Sequence, residues 1–354
     1  MSSTTTAPSI PPREKKPARP VSPLLPSPSP PLLLDLIAGE LADVEASLAA
    51  ETRSEIGAVR DISGHTLLAG GKRLRPALAI LSARVAGRGY PAARAARAGA
   101  AAEMIHMATL MHDDVVDESR ERRGKPTANA VFGNGITVLT GDFLLAKSIS
   151  LLAHNDENLH IVRVFSDVTV AMAEGEVLQA AVAHDLEITF ETYEAIIGRK
   201  TARFLAGCCE TGGMLGGATP AERAALAAYG YELGIAFQVA DDLLDLLGDP
   251  QQTGKPRGTD LRDGRVTLPL IHALSVADVA DRACLRATLS HPEISEADLA
   301  TISAIIARCD GFGAARRLAE ERAECAVRHL GGFADGLYKA ALERLARYVV
   351  GRDR

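Results

Sequence analysis

Two aspartate-rich pentads of identical spacing are the residues in this sequence best suited to chemistry. They are DDVVD at 113–117 and DDLLD at 241–245. Positions i and i+4 of a helix share one face, so the first and last aspartates of each pentad point the same way. Each pentad interrupts an apolar helical pattern, where unpaired carboxylates are costly to bury. A divalent cation removes this cost, and a ligand set made only of oxygen atoms favours Mg²⁺.

Positive charge lies beside both pentads. The basic residues that follow the first pentad are Arg120, Arg122, Arg123 and Lys125, and those that follow the second are Lys255, Arg257, Arg262 and Arg265. A further basic cluster, GGKRLRP, lies upstream at 70–76. Lysine and arginine neutralise phosphate oxygens, and a Gly-Gly step lets backbone amides approach an anion closely. Metal ligands and cations together predict a site for a diphosphate.

The elements that position these residues are predicted to be helices. Apolar residues recur every three to four positions from Leu33 to Leu48, and similar patterns cover 92–117, 190–209 and 221–247. The chain has eight Phe, six Tyr and no Trp, so Ala and Leu must build the core, which suits helices better than strands. We therefore predict an all-α fold of about ten or more helices. No run of about 18 apolar residues is free of charge, so no transmembrane helix is predicted.

Composition limits the remaining possibilities. A net charge of −6 disfavours binding to nucleic acid, which needs a basic surface. The five cysteines include no pair with the spacing of a zinc site, so we interpret them as reduced thiols of a cytoplasmic protein. Residues 1–31 hold ten of the 18 prolines, which predicts a disordered tail ahead of a folded region at 32–354.

Taken in order, these motifs resemble those of the all-trans polyprenyl diphosphate synthases, the class I head-to-tail prenyltransferases. The matching stretches, within about residues 35–350, are GGKRLRP, MIHMATLMHDDVVDESRERRGKP, GDFLLAKS, RKTA and FQVADDLLDLLGDPQQTGK…GTDLRDGRVTLP. The resemblance implies the isoprenoid synthase class I fold, a single bundle of mostly antiparallel helices around a central cavity. It makes 32–354 one domain, where a length of 354 residues alone suggests two. It also implies a homodimer.

The resemblance further implies a set of metal and diphosphate ligands. The residues expected to coordinate Mg²⁺, as three ions with bound diphosphate, are Asp113, Asp117 and Asp241. Those expected to bind through water or to orient these ligands are Asp114, Asp242 and Asp245. The residues expected at the allylic diphosphate are Arg122, Lys200 and Lys255. Those expected to bind isopentenyl diphosphate are Lys72, Arg75, His106 and Arg123.

Near the allylic carbon the resemblance places Thr201 and Gln238, whose oxygens would stabilise positive charge, so these two and Lys200 are the predicted catalytic residues. In the implied reaction the departing diphosphate is stabilised by metal and cationic side chains, and the allylic C–O bond ionises. The double bond of isopentenyl diphosphate attacks the cation, and a proton is lost to the released diphosphate. Many family members have lysine where this chain has Arg265, which we leave outside the predicted site.

Product length is predicted from Ala108 and Thr109, about one turn before the first pentad. Short-chain relatives often carry a bulky aromatic residue at one of these positions, which closes the tunnel for the growing tail. A small Ala108 predicts an open tunnel and a product of about C35 to C50, delivered at the membrane for a quinone side chain by family analogy. Alternatively, Ala108 only packs between helices, and deeper residues such as Met172, Val177 or Leu178 form the floor.

Other functions stay open at this point. A short-chain synthase of farnesyl or geranylgeranyl diphosphate is the nearest alternative. An alternative of another class is a non-catalytic subunit of a heteromeric prenyltransferase, but such subunits have lost the aspartate motifs, and both are intact here. A class I terpene cyclase shares the first motif and usually lacks GGKRLRP and a second DDxxD.

Overall fold

The computed structural model describes residues 34–68, 70–122, 124–155, 159–248, 257–291 and 293–351. The tail predicted at 1–31 lies outside these residues, so its disorder stays a prediction. Within the described residues there are sixteen α-helices, and the strands there form one hairpin of two residues each. The predicted all-α fold is therefore confirmed.

The helices follow one another with short connections. In chain order, α1 to α7 are Ala38–Glu51, Gly57–Leu68, Leu74–Ala86, Ala92–Val116, Ala128–Phe132, Asn134–Asn155 and Leu159–Ala181. Helices α8 to α16 are Phe190–Ile197, Arg203–Leu215, Pro220–Leu247, Thr259–Arg262, Leu268–Val276, Val279–Leu289, Glu296–Arg308, Gly311–His329 and Leu337–Gly351. A π-helical turn, Gly198–Ala202, joins α8 to α9, and the hairpin strands are β1 (Glu121–Arg122) and β2 (Lys125–Pro126).

The long helix α4 lies at the centre of the bundle and carries the first pentad at its C-terminal end. Its alanines 95, 96, 98 and 100–102 are all buried. Small side chains let α1, α3 and α6 pack closely against it, and a Cβ added at Gly99 would lie only 3.1 Å from Val44 of α1. The composition that predicted helices thus also sets how near they approach one another.

Helix α9 connects the helix of the basic cluster, α3, to the helix of the second pentad, α10. A Cβ at Gly212 of α9 would lie 2.2 Å from the carbonyl oxygen of Ala79 in α3. A Cβ at Gly230 of α10 would lie 2.6 Å from the carbonyl oxygen of Leu205 in α9. Backbone contacts of this kind leave no room for a side chain. The three helices therefore hold the two motifs at a fixed separation.

One apolar stretch of α6, Asn134–Ala153, is long and apolar enough to cross a membrane by length and composition alone, with a mean hydropathy of 1.5. This criterion is weak support for a span, because core helices of soluble proteins also meet it. The helix packs along α4, and its Lys147 pairs with Glu51 at 3.2 Å. Only 39% of the stretch is buried, so α6 keeps an exposed apolar face.

Candidate active site

The first pentad lies where α4 ends. Asp117 caps the helix, and its backbone N–H donates to the carbonyl oxygen of Asp113 at 2.8 Å. Burial raises the pKa of Asp113 to about 7. Repulsion from Glu176 and Asp117 contributes to this raised pKa, and Lys200 and Arg122 partly oppose the rise. The surroundings of Asp113 therefore disfavour its negatively charged form, and a bound cation would stabilise that form.

Asp114, the second aspartate of the pentad, is buried and bound by Arg122. The Nε and Nη2 atoms of Arg122 donate to Oδ1 of Asp114 at 2.9 and 2.7 Å. Arg122 belongs to β1, and Asn129 donates to the carbonyl oxygen of Asp114 at 3.0 Å, so the chain after α4 folds back on the pentad. The structure thus places Arg122, predicted to contact the allylic diphosphate, against the end of α4.

Asp242, the second aspartate of the other pentad, is the buried centre of a hydrogen-bond chain. Tyr193 Oη donates to one of its oxygens at 2.6 Å, and Gln238 Nε2 donates to the other at 3.0 Å. Thr201 Oγ1 donates to Gln238 Oε1 at 2.9 Å. Burial raises the pKa of Asp242 well above its ordinary value. The chain fixes the amide of Gln238 and brings the predicted catalytic residues Thr201 and Gln238 into direct contact.

Asp241 and Asp245 lie one turn apart on α10, as predicted, but their surroundings differ. Asp241 is exposed, which leaves this predicted metal ligand accessible from solvent. The two carboxylate oxygens of Asp245 accept the backbone N–H groups of Thr259 and Asp260, each at 3.2 Å. Asp245 therefore caps the short helix α11 and holds the following loop against the pentad.

Arg265 links the first pentad to the loop beside the second pentad, although it was left outside the predicted site. Its Nη2 donates to Oδ2 of Asp117 at 2.6 Å, and its Nη1 donates to Oδ1 of Asp260 at 3.3 Å. The preceding Gly264 has φ +73°, and a Cβ there would overlap the ring of His184. Only glycine permits the turn that sends Arg265 inward. The sequence signal that could have indicated this role is the arginine in place of the usual lysine, because a planar guanidinium can bridge two carboxylates.

Lys200 lies in the π-helical turn between α8 and α9, where the sequence predicted a continuous helix over 190–209. Its Nζ lies 2.6 Å from Oε1 of Glu176 and donates to Oε1 of Gln179 at 2.6 Å. Helix α7 approaches the turn closely, because a Cβ at Gly175 would lie 2.9 Å from Cγ of Lys200. Such π turns are common at functional sites, because they redirect side chains from the regular helical period.

A cavity of about 110 Å³ lies between α7, the π-helical turn, α10 and the loop before α12. Its polar lining consists of Gln179, Lys200, Gln238, Asp242, Asp260, Arg265 and Thr267. Tyr193, Ile196 and Ile197 form an apolar wall. Asp242 of the second pentad, Lys200, Gln238 and Arg265 thus face one space. Thr201 is joined to this group by its hydrogen bond to Gln238.

The residues predicted to bind isopentenyl diphosphate lie on α3, α4 and the loop before α3. Lys72 is exposed in that loop, and Arg75 is half-buried in the first turn of α3 with its guanidinium carbon 4.7 Å from the centre of the Phe204 ring. His106 is half-buried on α4, two turns before Asp113. Helices α3 and α4 pack against each other, which brings these residues to one side of the bundle.

Arg73, in the middle of GGKRLRP, points into the protein. Its backbone has φ 47°, a left-handed conformation that is strained for a side chain of this size. Its Nε donates to Glu45 of α1 at 2.5 Å, and its Nη1 donates to the buried Glu103 of α4 at 2.8 Å. These ion pairs hold the loop that presents Lys72.

Not every basic residue near the pentads faces the site. Arg123 and Lys255, both predicted substrate ligands, lie outside the described residues. Three others hold local structure: Lys125 donates to the carbonyl oxygen of Leu68 at 2.9 Å, Arg257 to that of Leu246 at 2.8 Å, and Arg262 pairs with Glu296 at 2.6 Å.

The donor set of the pentads fits a hard divalent cation, since Asp113, Asp117 and Asp241 offer carboxylate oxygens only. Among the residues with a described placement, no three aspartates bring their carboxylates within 4.8 Å of one another. A cation shared by both pentads would therefore need further oxygens from a bound anion, which is how Mg²⁺ is usually held. The raised pKa of Asp113 points the same way, because it reflects a negative charge without sufficient compensation.

We expect Arg265→Met to lower the free energy of unfolding by about 1–3 kcal/mol in metal-free buffer. The reason is that Asp117, Asp260 and Asp263 would lose the cation they share. Arg317→Met, which breaks an exposed pair with Asp310, is the matched control and should change stability by less than about 1 kcal/mol. Urea unfolding of both variants measures the difference, and equal losses would contradict a bridging role for Arg265.

Comparison with known proteins agrees with this geometry. The model of the polyprenyl synthetase family matches residues 57–306. Octaprenyl diphosphate synthase of Escherichia coli (strain K12) is 38% identical over 320 residues, which cover 90% of this chain and 98% of that protein.

Solved structures match over nearly the whole chain. A decaprenyl diphosphate synthase from Rhodobacter capsulatus is 38% identical with a TM-score of 0.86, covering 92% of this chain and 100% of that one. A polyprenyl synthase from Caulobacter crescentus CB15, complexed with calcium and isoprenyl diphosphate, is 35% identical with a TM-score of 0.88. The match covers 94% of this chain and 100% of that one. The resemblance seen in the motifs is thereby confirmed, and the chain belongs to the polyprenyl synthetase family.

Proposed function

We propose that the protein is a long-chain all-trans polyprenyl diphosphate synthase, a prenyltransferase that condenses isopentenyl diphosphate with an allylic diphosphate. The observation that carries the proposal is the link between Asp117 of one pentad and the loop beside the other through Arg265, around a cavity that also contains Lys200. The octaprenyl and decaprenyl synthases at 38% identity support a long product, of about C35 to C50.

Asp113, Asp117 and Asp241 are the residues we propose for Mg²⁺, as three ions in the presence of diphosphate. The relative crystallised with calcium and isoprenyl diphosphate supports a divalent metal at such a site. When bound, the metal would act as a Lewis acid and stabilise the negative charge of the departing diphosphate. The exposed Asp241 and the crowded Asp113 are both suited to this role.

The cationic side chains of the site bind and hold the departing diphosphate. Lys200 lies on the cavity wall, and Arg265 approaches from the opposite loop, so both can neutralise phosphate oxygens in a partly buried site where such contacts are strong. Each is already fixed by a carboxylate, Glu176 for Lys200 and Asp117 for Arg265. Little reorganisation is therefore needed when charge develops on the leaving group.

We propose that Thr201 and Gln238 stabilise the allylic cation. The Thr201 hydroxyl donates its hydrogen bond to Gln238 Oε1, so the two lone pairs of its oxygen can face positive charge. The Gln238 amide is held in turn by Asp242 and Tyr193. This orientation keeps hydrogen-bond donors directed away from the cation, which would otherwise be destabilised. The apolar wall of the cavity excludes water that would trap it.

We expect the purified full chain, given farnesyl diphosphate, isopentenyl diphosphate and Mg²⁺, to form products of about C35 to C50, sized after dephosphorylation. Asp113→Ala should lower turnover by about 10³-fold with unchanged helicity, because it removes a proposed ligand of the leaving group. Asp61→Ala, at an exposed position paired with Arg60, is the control and should keep full turnover.

Products that stop at farnesyl or geranylgeranyl diphosphate would favour the short-chain alternative. If the chain alone turns over no allylic primer, the result would favour the alternative of a subunit that needs a partner.

The structure buries Ala108, the residue predicted to leave the product tunnel open. Ala108 is 1% exposed and packs in an apolar cluster with Ile62 of α2, Met111 of α4 and Leu144 of α6. Val177 and Leu178, named as alternative floor residues, line an apolar groove along α7, and Met172 is buried on the same helix. The cluster around Ala108 is where we propose that a growing tail runs, since it lies directly below the first pentad.

We expect Ala108→Tyr to shorten the product by one or more isoprene units, because the ring would fill the space that the tail needs. Chromatography of the dephosphorylated products measures the shift. Ala42→Tyr, at an exposed position on α1, should leave the product length unchanged. If Ala108→Tyr lowers the melting temperature but keeps the product length, Ala108 is a packing residue and the floor lies elsewhere.

We propose that the enzyme is a homodimer that uses the exposed apolar face of α6. Ile136 and Leu139 are 39% and 67% exposed on this helix, and Val131 of α5 is 52% exposed beside them in the chain. An apolar face of this kind is favourable when covered by a second copy.

Leu139→Glu should convert the dimer to a monomer, because it places a charge in the proposed interface. Leu337→Glu, at a leucine with a similar 72% exposure on α16, should remain dimeric. Light scattering at micromolar concentration measures the mass. A monomeric wild-type protein would contradict the proposed dimer.

A cytoplasmic location with delivery of the product at the membrane surface is also proposed. All five cysteines are free thiols, which suits a reducing compartment. Fractionation of cells that express the full chain tests the location, and recovery outside the cytoplasm would contradict it.

A further inference from the structure

Three side chains of metal-ligating type meet between α10 and α15, away from the two pentads. Glu232 lies on α10, and Cys325 and His329 lie one turn apart at the end of α15. One carboxylate oxygen, the thiol sulfur and an imidazole nitrogen all lie within 4.8 Å of one another. No other group of three such ligands occurs in the part of the chain that the structure describes. Glu232 precedes Asp241 by nine residues, about 13 Å along the helix axis.

The spacing of the cluster is close to that of a tetrahedral metal site. Cys325 Sγ and His329 Nε2 are 3.9 Å apart. Zinc–sulfur and zinc–nitrogen bonds of about 2.3 and 2.0–2.1 Å at a tetrahedral angle place those atoms about 3.6 Å apart. A small side-chain rotation therefore suffices to bring both atoms into coordination distance. The i, i+4 spacing keeps both side chains on one face of α15.

The two helices provide a firm support for the cluster. Helices α10 and α15 pack along each other, and the side chains of Ala319, Ala323 and Ala326 are buried around the contact. Ligands on packed helices keep their separation better than ligands on loops. All three ligand residues are half-buried, so a metal ion has access from solvent.

The donor set selects the class of metal. A thiolate, an imidazole and a carboxylate suit zinc and related transition metals, whereas Mg²⁺ prefers oxygen atoms alone. The site is therefore chemically distinct from the pentads, where every ligand is a carboxylate. With three protein ligands, a fourth position would remain for water.

Arg322 is the competing partner at this site. Its Nη1 lies 3.1 Å from Oε2 of Glu232, and its Nη2 pairs with Glu194. A metal ion bound to Glu232 would displace the first contact and leave the second in place. The arginine therefore weakens metal binding by electrostatic repulsion without blocking it.

We propose that Glu232, Cys325 and His329 form a binding site for a divalent transition metal of the zinc type, which would link α15 to the helix of the second pentad. Co²⁺ is the probe, because a cobalt–thiolate bond gives a charge-transfer band in the near ultraviolet and cobalt bound to carboxylates does not. The full chain, freed of metal with a chelator, should develop this band on titration with Co²⁺. Excess Zn²⁺ should abolish it.

Cys325→Ser should lose the band, and Cys284→Ser, which changes an exposed thiol on α13, should keep it. Glu232→Gln should weaken Co²⁺ binding by more than about tenfold, whereas Glu324→Gln, beside Cys325 but paired with Arg347, should not. Arg322→Gln should strengthen binding. Circular dichroism checks that each variant is folded. The absence of a band in the wild-type protein, or an equal band in Cys325→Ser, would overturn the proposal.

Discussion

The crowding of carboxylates at and beside the two pentads is the constraint on which the rest of the site depends. Buried like charges repel, and the raised pKa values of Asp113 and Asp242 reflect this, with burial as the largest cause. The protein compensates with single cations, each placed on a particular carboxylate. The pairs are Arg122 with Asp114, Lys200 with Glu176, and Arg265 with Asp117 and Asp260. A diphosphate with its metal ions would complete the compensation.

Acidic and basic residues reach the site from different kinds of backbone. The aspartates lie on regular helices, at the ends of α4 and α10. The cations lie on irregular segments: Arg122 in the short β-hairpin, Lys200 in the π-helical turn and Arg265 directly after Gly264, which has a left-handed conformation. Helices fix the metal ligands at a set spacing, whereas irregular backbone can direct a long side chain across the cavity. The glycine contacts of α9 hold it closely against α3 and α10.

Local spacing made the helices, the shared faces of the pentads and the family resemblance predictable from the sequence. Local spacing does not predict contacts between segments that are far apart in the sequence. The helical period shows which face carries Asp117 but not that Arg265, 148 residues later, contacts it. In the same way, the sequence places Arg73 in a basic cluster between the predicted ligands Lys72 and Arg75, whereas the structure pairs it with Glu45 and Glu103. The cluster of Glu232, Cys325 and His329 could not be predicted for the same reason, because Glu232 is far from the other two residues in the sequence.

Both pentads are proposed to act on one metal-bound diphosphate. A double-mutant cycle with Asp117→Asn and Asp241→Asn tests it most directly, with the affinity for inorganic pyrophosphate in Mg²⁺ measured by titration calorimetry. If the pentads share the anion, the two losses are coupled by at least about 1 kcal/mol, because removing either ligand weakens the interaction of the other. Losses that add within about 0.5 kcal/mol would show two independent sites and contradict a shared diphosphate.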